Sequence, residues 1–278
     1  MKIKIRGVRG SIPVTDPNTS YYGGNTSCAD VSEQGWQLVM DGGSGMRLSC
    51  TDSRPDNKRI DILLTHLHLD HIMGLGFFQP LFDPNMEIHI WGPSSPSQSL
   101  RSRLSRYLSP PLFPVLIRNL PCKLFLHEID NTHFEIGPFS IQSAYVIHPG
   151  PTVGFRVSGE HSTFTYIPDH EPALGRNGMY KQPDWISGYS LAENADLLLH
   201  DSQYSFQEYP DKTGWGHSSM DDTLLFASKA GVKHLLLAHH DPMHTDAQLT
   251  AMFEELKSRS DYKFIYELAK EGMEIQLT

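Results

Sequence analysis

No stretch of this 278-residue sequence approaches the ~18 consecutive apolar residues that a membrane-spanning helix needs. The N-terminus, MKIKIRGVRGSIP, alternates like a β-strand and has no apolar core of a secretion signal. A cytoplasmic protein without membrane contact is therefore expected. Cysteine is scarce: Cys28, Cys50 and Cys122 are three, odd in number and scattered, which argues against a disulfide framework or a CxxC zinc site. Basic charge is also short, with 23 Lys and Arg against 32 Asp and Glu, a formal net charge of −9 and no dense Lys/Arg run. Long nucleic acids are bound through a basic stripe, so no long nucleic acid partner is expected. A small phosphate ester stays compatible with that balance. No internal repeat or low-complexity tract is visible. A 39% apolar and 20% charged composition is ordinary for a globular protein with a sizeable core.

What the sequence has in excess is histidine, fifteen in all. Residues 66 to 71 read His-Leu-His-Leu-Asp-His, directly after the apolar run Ile62-Leu63-Leu64-Thr65. Burying such side chains without partners costs several kcal/mol, so the spacing calls for something that binds imidazoles.

The first third reads as β-rich. Strands are expected at MKIKIRGV, at a hairpin through CADVSEQGWQLVM that turns at Glu33-Gln34-Gly35, and at RIDILLT and MEIHIWGP. HIMGLGFFQPLF reads as a short helix that stops near Pro80. Residues 92–114 form a Pro/Ser-bounded insertion whose helix places Leu100, Leu104 and Leu108 on one face and Arg103 and Arg106 elsewhere. The second half offers strands at FSIQSAYVI, TVGFRV, STFTYI, DLLLH and HLLLAHH, with helices over 218–230 and 246–259. Two β-rich halves that each trail into helices predict an α/β sandwich, two packed mixed β-sheets with helices on the outer faces. No linker divides it, so residues 1–278 are read as a single domain.

Each candidate ligand stands where an apolar strand stops: His66 after Ile62–Thr65, His148 after Ala144–Ile147, Asp169 after Phe164–Pro168, His239 after Leu235–Ala238. Strand ends at one rim can bring distant side chains together. In extended chain, residues i and i+2 point the same way, so His66 and His68 can grip one ion while Asp70 and His71 point elsewhere. Imidazole and carboxylate suit zinc and similar divalent metals. Seven ligands exceed one site, so two ions are expected: His66, His68 and His148 on the first, Asp70, His71 and His239 on the second, and Asp169 between them. Zinc fits best, and manganese or iron would also be accommodated. His240 is the rival ligand on its strand, and alternation turns it to the opposite face.

THLHLDH resembles the signature of the metallo-β-lactamase superfamily, and His148, Asp169 and His239 match its later metal motifs in order. That resemblance implies the αββα metallo-β-lactamase fold over nearly the whole chain. GWGHSSMDDTLLFASKAGVKHLLLAHHDP and LLLHDSQY are similar to segments of ribonuclease Z. RGVRGSIPV and YYGGNTSC resemble the opening loops of small phosphodiesterases of that branch, including phosphoribosyl cyclic phosphodiesterases. This branch gives His217 a role beside the dinuclear centre, in contacting the phosphate or protonating the leaving oxygen; the alternative is that it only caps its helix. The tRNA-binding arm of ribonuclease Z has no room here between His148 and Asp169. IPDHE replaces the common Gly-Asp, and its His170 and Glu171 are expected to surround the bridging carboxylate and orient its neighbours.

The expected activity is hydrolysis of a small, perhaps cyclic, phosphodiester by a metal-bridging hydroxide, with Asp70 and His217 as the catalytic residues. Backbone amides of Gly7–Ser11 and Gly23–Thr26 are candidates for the phosphate pocket, with Ser11 and Asn25 as its substrate-binding residues. The 92–114 insertion is a candidate lid or homodimer contact, with Arg103 or Arg106 reaching a substrate anion. Hydrolysis of a lactone or thioester is the alternative activity. A redox di-metal protein would lack its flavin domain, and a non-catalytic member would be expected to have lost ligands.

Overall fold

The computed structural model describes residues 1–49, 57–173 and 179–278; Cys50 lies outside them. Strands β1 (Lys2–Gly7), β2 (Cys28–Glu33), β3 (Trp36–Met40), β4 (Arg59–Leu63), β5 (Glu87–Pro93) and β6 (Lys123–Ile129) form one sheet together with the late β14 (Glu274–Gln276). Strands β7 (Thr132–Ile136), β8 (Phe139–Tyr145), β9 (Val153–Ser158), β10 (Thr163–Ile167), β11 (Leu197–Asp201), β12 (His234–Ala238) and β13 (Ile265–Leu268) form the other. Their spatial orders are β14-β1-β2-β3-β4-β5-β6 and β13-β12-β11-β10-β9-β8-β7. Both sheets are mixed: β3 to β6 and β10 to β13 run parallel, the rest antiparallel.

Strict alternation along the strands explains the layers. Leu38 and Met40 of β3 enter the core between the sheets, together with Leu197 and Leu199 of β11 and Leu236 of β12. Val39, Ile60 and Ile62 face the other way, into a cluster closed by helix α2 (Leu100–Tyr107). Leu198, Leu235 and Leu237 face a third cluster beneath the helices α3 (Tyr189–Ala192), α4 (Met220–Ala230) and α5 (Asp246–Arg259). Strands buried on both faces lose the polar alternation of a half-exposed sheet and become continuous apolar runs. No helix among the described residues is long and apolar enough to cross a membrane.

The segment after the histidine cluster differs from the single helix expected. It is one turn of α-helix, α1 (Leu69–Ile72), followed by two 3₁₀ turns, Leu75–Phe77 and Gln79–Phe82. Its glycines allow close backbone approach: the Gly74 amide donates to Gly42 O at 2.7 Å, and a Cβ on Gly76 would crowd Phe113. Helix α2 falls inside the 92–114 insertion. Its Leu100 and Leu104, with the following Leu108, are fully buried, Arg103 donates to Pro93 O, and Tyr107 donates to Met73 O at 2.5 Å. Four strands escaped the sequence reading: β6, β7, β13 and β14.

Candidate active site

Strand β4 runs out at Leu63, and the next residues are tied to the neighbouring strand end. Thr65 donates to Asp41 Oδ1 from its backbone amide at 2.7 Å and from its hydroxyl at 3.0 Å. That fixes His66, whose ring is buried. Helix α1 then opens at His68, carrying Asp70 and His71 in its single turn. His71 donates from Nδ1 to Asp41 Oδ2 at 2.8 Å, so its Nε2 points into the site. Asp70 accepts from the Ser11 amide at 2.7 Å.

The other sheet supplies the facing groups. His148 follows β8 and donates from Nδ1 to Gly216 O at 2.8 Å. Asp169 follows β10, with Oδ1 at 3.0 Å from His71 Nε2 and Oδ2 at 3.3 Å from His239 Nε2. The same Oδ2 lies 3.7 Å from His148 Nε2 and 3.8 Å from His66 Nε2. His239 follows β12 with a left-handed backbone, φ 61°, and its Nδ1 bonds Gln203 Oε1 at 3.2 Å. Five triads have ligand atoms within 4.8 Å of one another: His66/His68/His148 and Asp70/His71/His239, then His66/His71/Asp169, which spans the two, and His148/Asp169/His217 and Asp201/His217/His239, which bring in His217.

Fit for metal ions can be tested on the buried atoms. The Nε2 atoms of His66, His71 and His239 and Oδ1 of Asp169 are all buried and lack a hydrogen-bond partner, and the three ring atoms gather around the Asp169 carboxylate. His71 Nε2 and Asp169 Oδ1 are close enough for a charge contact yet are not aligned as a hydrogen bond. Orphaned polar atoms are costly, and four in one cluster require an electrophile. Neutral imidazoles with carboxylates form the donor set of zinc and related divalent ions. The residues fit.

Charge in the metal-free protein is uneven. Burial holds His66 well below its ordinary value and pushes His148 down to about 4. Burial also opposes protonation of His239, but the charges of Asp169 and Asp70, 3.3 and 3.4 Å from its Nε2, outweigh it and raise His239 to about 9. His71 is raised against burial by Asp169, Asp70 and Asp41. Asp70 is held well below the carboxylate range, with the charge contacts of His71 and His239, each 3.4 Å away, outweighing burial.

His217 stands at the mouth, partly buried, where His68 is the more exposed ring of the cluster. It donates from Nδ1 to Asp201 Oδ2 at 2.6 Å, and its ring stacks on His239 at 4.7 Å between centroids. Asp201 is fully buried and also accepts from the amides of His170, Gln203 and Ser218.

Several side chains lie elsewhere than the sequence suggested. Asn25 is committed inside the loop, donating to Glu271 Oε2 at 2.8 Å and accepting from Ser44 Oγ at 3.1 Å. The amides of residues 8 to 11, 25 and 26 are likewise spent on protein acceptors, that of Ser11 on Asp70, so these loops brace the ligands rather than line a phosphate pocket. His170 turns away from the Asp169 carboxylate, its Nδ1 2.9 Å from His200 Nε2. Glu171 acts at one remove: it accepts from the amides of Gly214 and Gly216, and Gly216 holds His148. His240 bonds Ala269 O at 2.9 Å, outside the cluster. The sequence reading missed Asp41, Asp201 and Gln203, each of which fixes the ring of a cluster histidine. Their one signal is position, at or just past the end of an apolar strand.

A seam of buried imidazoles and carboxylates between two mixed sheets defines a metal-dependent hydrolase. The chain belongs to the beta-lactamase superfamily, whose domain profile matches residues 38–240. It is 25% identical over 260 residues to the ribonuclease Z of Thermococcus onnurineus, covering 79% of this chain and 80% of that protein. Its fold is shared with human tRNase Z, short form (TM-score 0.70, 21% identity, all of both chains). It is shared too with a diphosphatase from the PhnP family (TM-score 0.69, 18% identity, 99% and 96% of the two chains).

These relatives overturn one expectation. The acidic balance argued against any long nucleic acid, yet curated relatives over four-fifths of the chain are named as ribonucleases. Net charge sums the whole surface, whereas a nucleic-acid footprint is local, so the −9 total does not decide the matter.

Proposed function

We propose that the protein is a dinuclear, zinc-dependent phosphodiesterase. His66, His68 and His148 would hold one ion, Asp70, His71 and His239 the second, and Asp169 would contact both. When bound, two such ions lower the pKa of a coordinated water and neutralise charge on the phosphoryl oxygens. His217 supplies what the ions do not, a proton donor for the leaving oxygen. Asp201 accepts from its Nδ1, which leaves Nε2 as the atom turned to the cleft. The observation that carries this reading is His217: an imidazole at the mouth of the cluster, stacked on His239 and fixed by a buried carboxylate. A thioester, which expels a thiolate, has less use for such a donor. The relatives named ribonuclease Z support the phosphodiester. It is offered either as a small diester, cyclic ones included, or within an RNA strand.

The test is turnover of bis(p-nitrophenyl) phosphate by zinc-loaded protein beside His217→Ala and Asp70→Ala. A panel of cyclic nucleotides and a 3′-extended tRNA follows. Loss of turnover in both variants, with metal retained in the histidine variant, is expected. Zinc-loaded protein that leaves every diester intact but opens lactones or thioesters would overturn the proposal.

A further inference from the structure

Trp215 is two residues from His217, and 58% of it is exposed to solvent. It lies between two glycines in left-handed conformations, Gly214 at φ 89° and Gly216 at φ 91°. Both of their amides donate to the buried carboxylate of Glu171, at 2.8 and 2.7 Å, and Tyr209 donates its hydroxyl to the same group at 2.9 Å. Gly216 O in turn accepts from His148. The loop is therefore pinned from both sides. Phe77, Trp185 and Phe206 are as exposed, and what sets Trp215 apart is its rigid loop, which borders His148 and His217, where a bound partner would sit.

The surroundings indicate which one. Lys212 Nζ lies over the indole, 4.3 Å from the ring centroid, so a cation covers one face and a stacked partner would take the other. Two further apolar side chains are exposed next to cluster residues: Leu69 (56%), between His68 and Asp70, and Ile12 (57%), after the Ser11 amide that Asp70 accepts. The rim of a polar, charged site thus carries an aromatic plate, aliphatic neighbours and one ammonium. A flat heteroaromatic ring attached to a phosphate matches all three, stacking on the indole while the anion meets the lysine.

We infer that Trp215 is a stacking platform for the nucleobase next to the scissile phosphate, so that the substrates are phosphodiesters of nucleosides. The inference rests on the phosphodiesterase reading above and adds a specificity-determining residue to it.

Calorimetric titration of zinc-loaded protein with adenosine 5′-monophosphate, uridine 5′-monophosphate and methyl phosphate tests it. Wild-type protein should hold the nucleotides about tenfold more tightly than methyl phosphate. Trp215→Ala should erase that difference, and Trp215→Phe should keep most of it. A preference that survives in Trp215→Ala overturns the inference, as does wild-type protein that holds nucleotides no more tightly than methyl phosphate, or not at all. Turnover reports separately: a nucleotide preference that depends on Trp215, in a protein that hydrolyses no diester, would defeat the phosphodiesterase reading and leave the platform standing.

Discussion

His217 Nδ1 and Asp201 Oδ2 are 2.6 Å apart, and the carboxylate is wholly buried while the ring stands at the mouth of the site. A carboxylate only accepts, so this contact fixes the tautomer and orientation of the imidazole. Asp201 is thus a positioning residue that acts through His217.

Replacing it tests that role. Asp201→Asn should lower kcat about a hundredfold, the lower end of what a positioned acid or base supplies, with KM little changed. Zinc content should stay at the wild-type level, and the acidic and basic limbs of the kcat–pH profile should move. A merely structural role would lower the folded fraction and leave the profile of the remaining enzyme in place.

Metal loading should release protons. With His239 raised to about 9 and His71 raised as well, both carry protons near pH 7.5 in the metal-free protein. Ligation needs them neutral. A pH indicator should therefore record acid on zinc addition to chelator-treated protein. The same shift sets a stability trend. A histidine raised on folding stabilises fully below its unfolded pKa of about 6.5, and loses that contribution as pH climbs through 9. Chelated protein should accordingly become easier to denature with urea between those limits.

Gly216→Ala should disturb His148 first. A Cβ at that position would run into Pro149 Cδ and lie 2.6 Å from His148 Nδ1, on a backbone at φ 91° that alanine adopts only with strain. The expected result is loss of one zinc per chain and about 1–3 kcal/mol of stability, read by elemental analysis and denaturant titration.

Glu171→Gln should loosen the loop over 214–216. Three donors converge on this buried carboxylate, and an amide cannot accept from all of them while placing its own NH₂ group. A loss of about 1–3 kcal/mol is expected, with kcat reduced because His148 and His217 flank the loop. An unchanged urea midpoint would contradict the brace.

Leu104→Ala separates core from site. Leu104 is fully buried in the cluster beneath α2, and its truncation should cost about 2–5 kcal/mol. Turnover per folded molecule should be unaffected at 25 °C.

The sheets and the triads were legible in the sequence because their signals are local. Contiguous apolar runs mark strands buried on both faces, and His66, His68, Asp70 and His71 fall within six residues. The partners that fix those rings were not legible. Asp41, Asp201, Gln203 and Glu171 are single polar residues whose meaning depends on what a distant strand end brings to them. The loops at 7–11 and 23–26 differ from expectation for a related reason: glycine-rich stretches suggest free amides, and here tertiary acceptors take those of residues 8–11, 25 and 26. The missed strands β6, β7 and β13 lie at sheet edges, partly exposed, and β14 has only three residues, so none shows a full apolar run.

The cluster draws His66, His68, Asp70 and His71 from the end of one sheet and His148, Asp169 and His239 from the ends of the other. Ions seated there would cross-link the two halves of the sandwich, much as a disulfide ties two distant points of a chain. Occupancy then bears on cooperativity as well as on chemistry. The loaded protein has to give up its ions before the sheets can part, whereas in the stripped protein the same seam is held by ion pairs that cross it, His71 with Asp169 and His239 with Asp70.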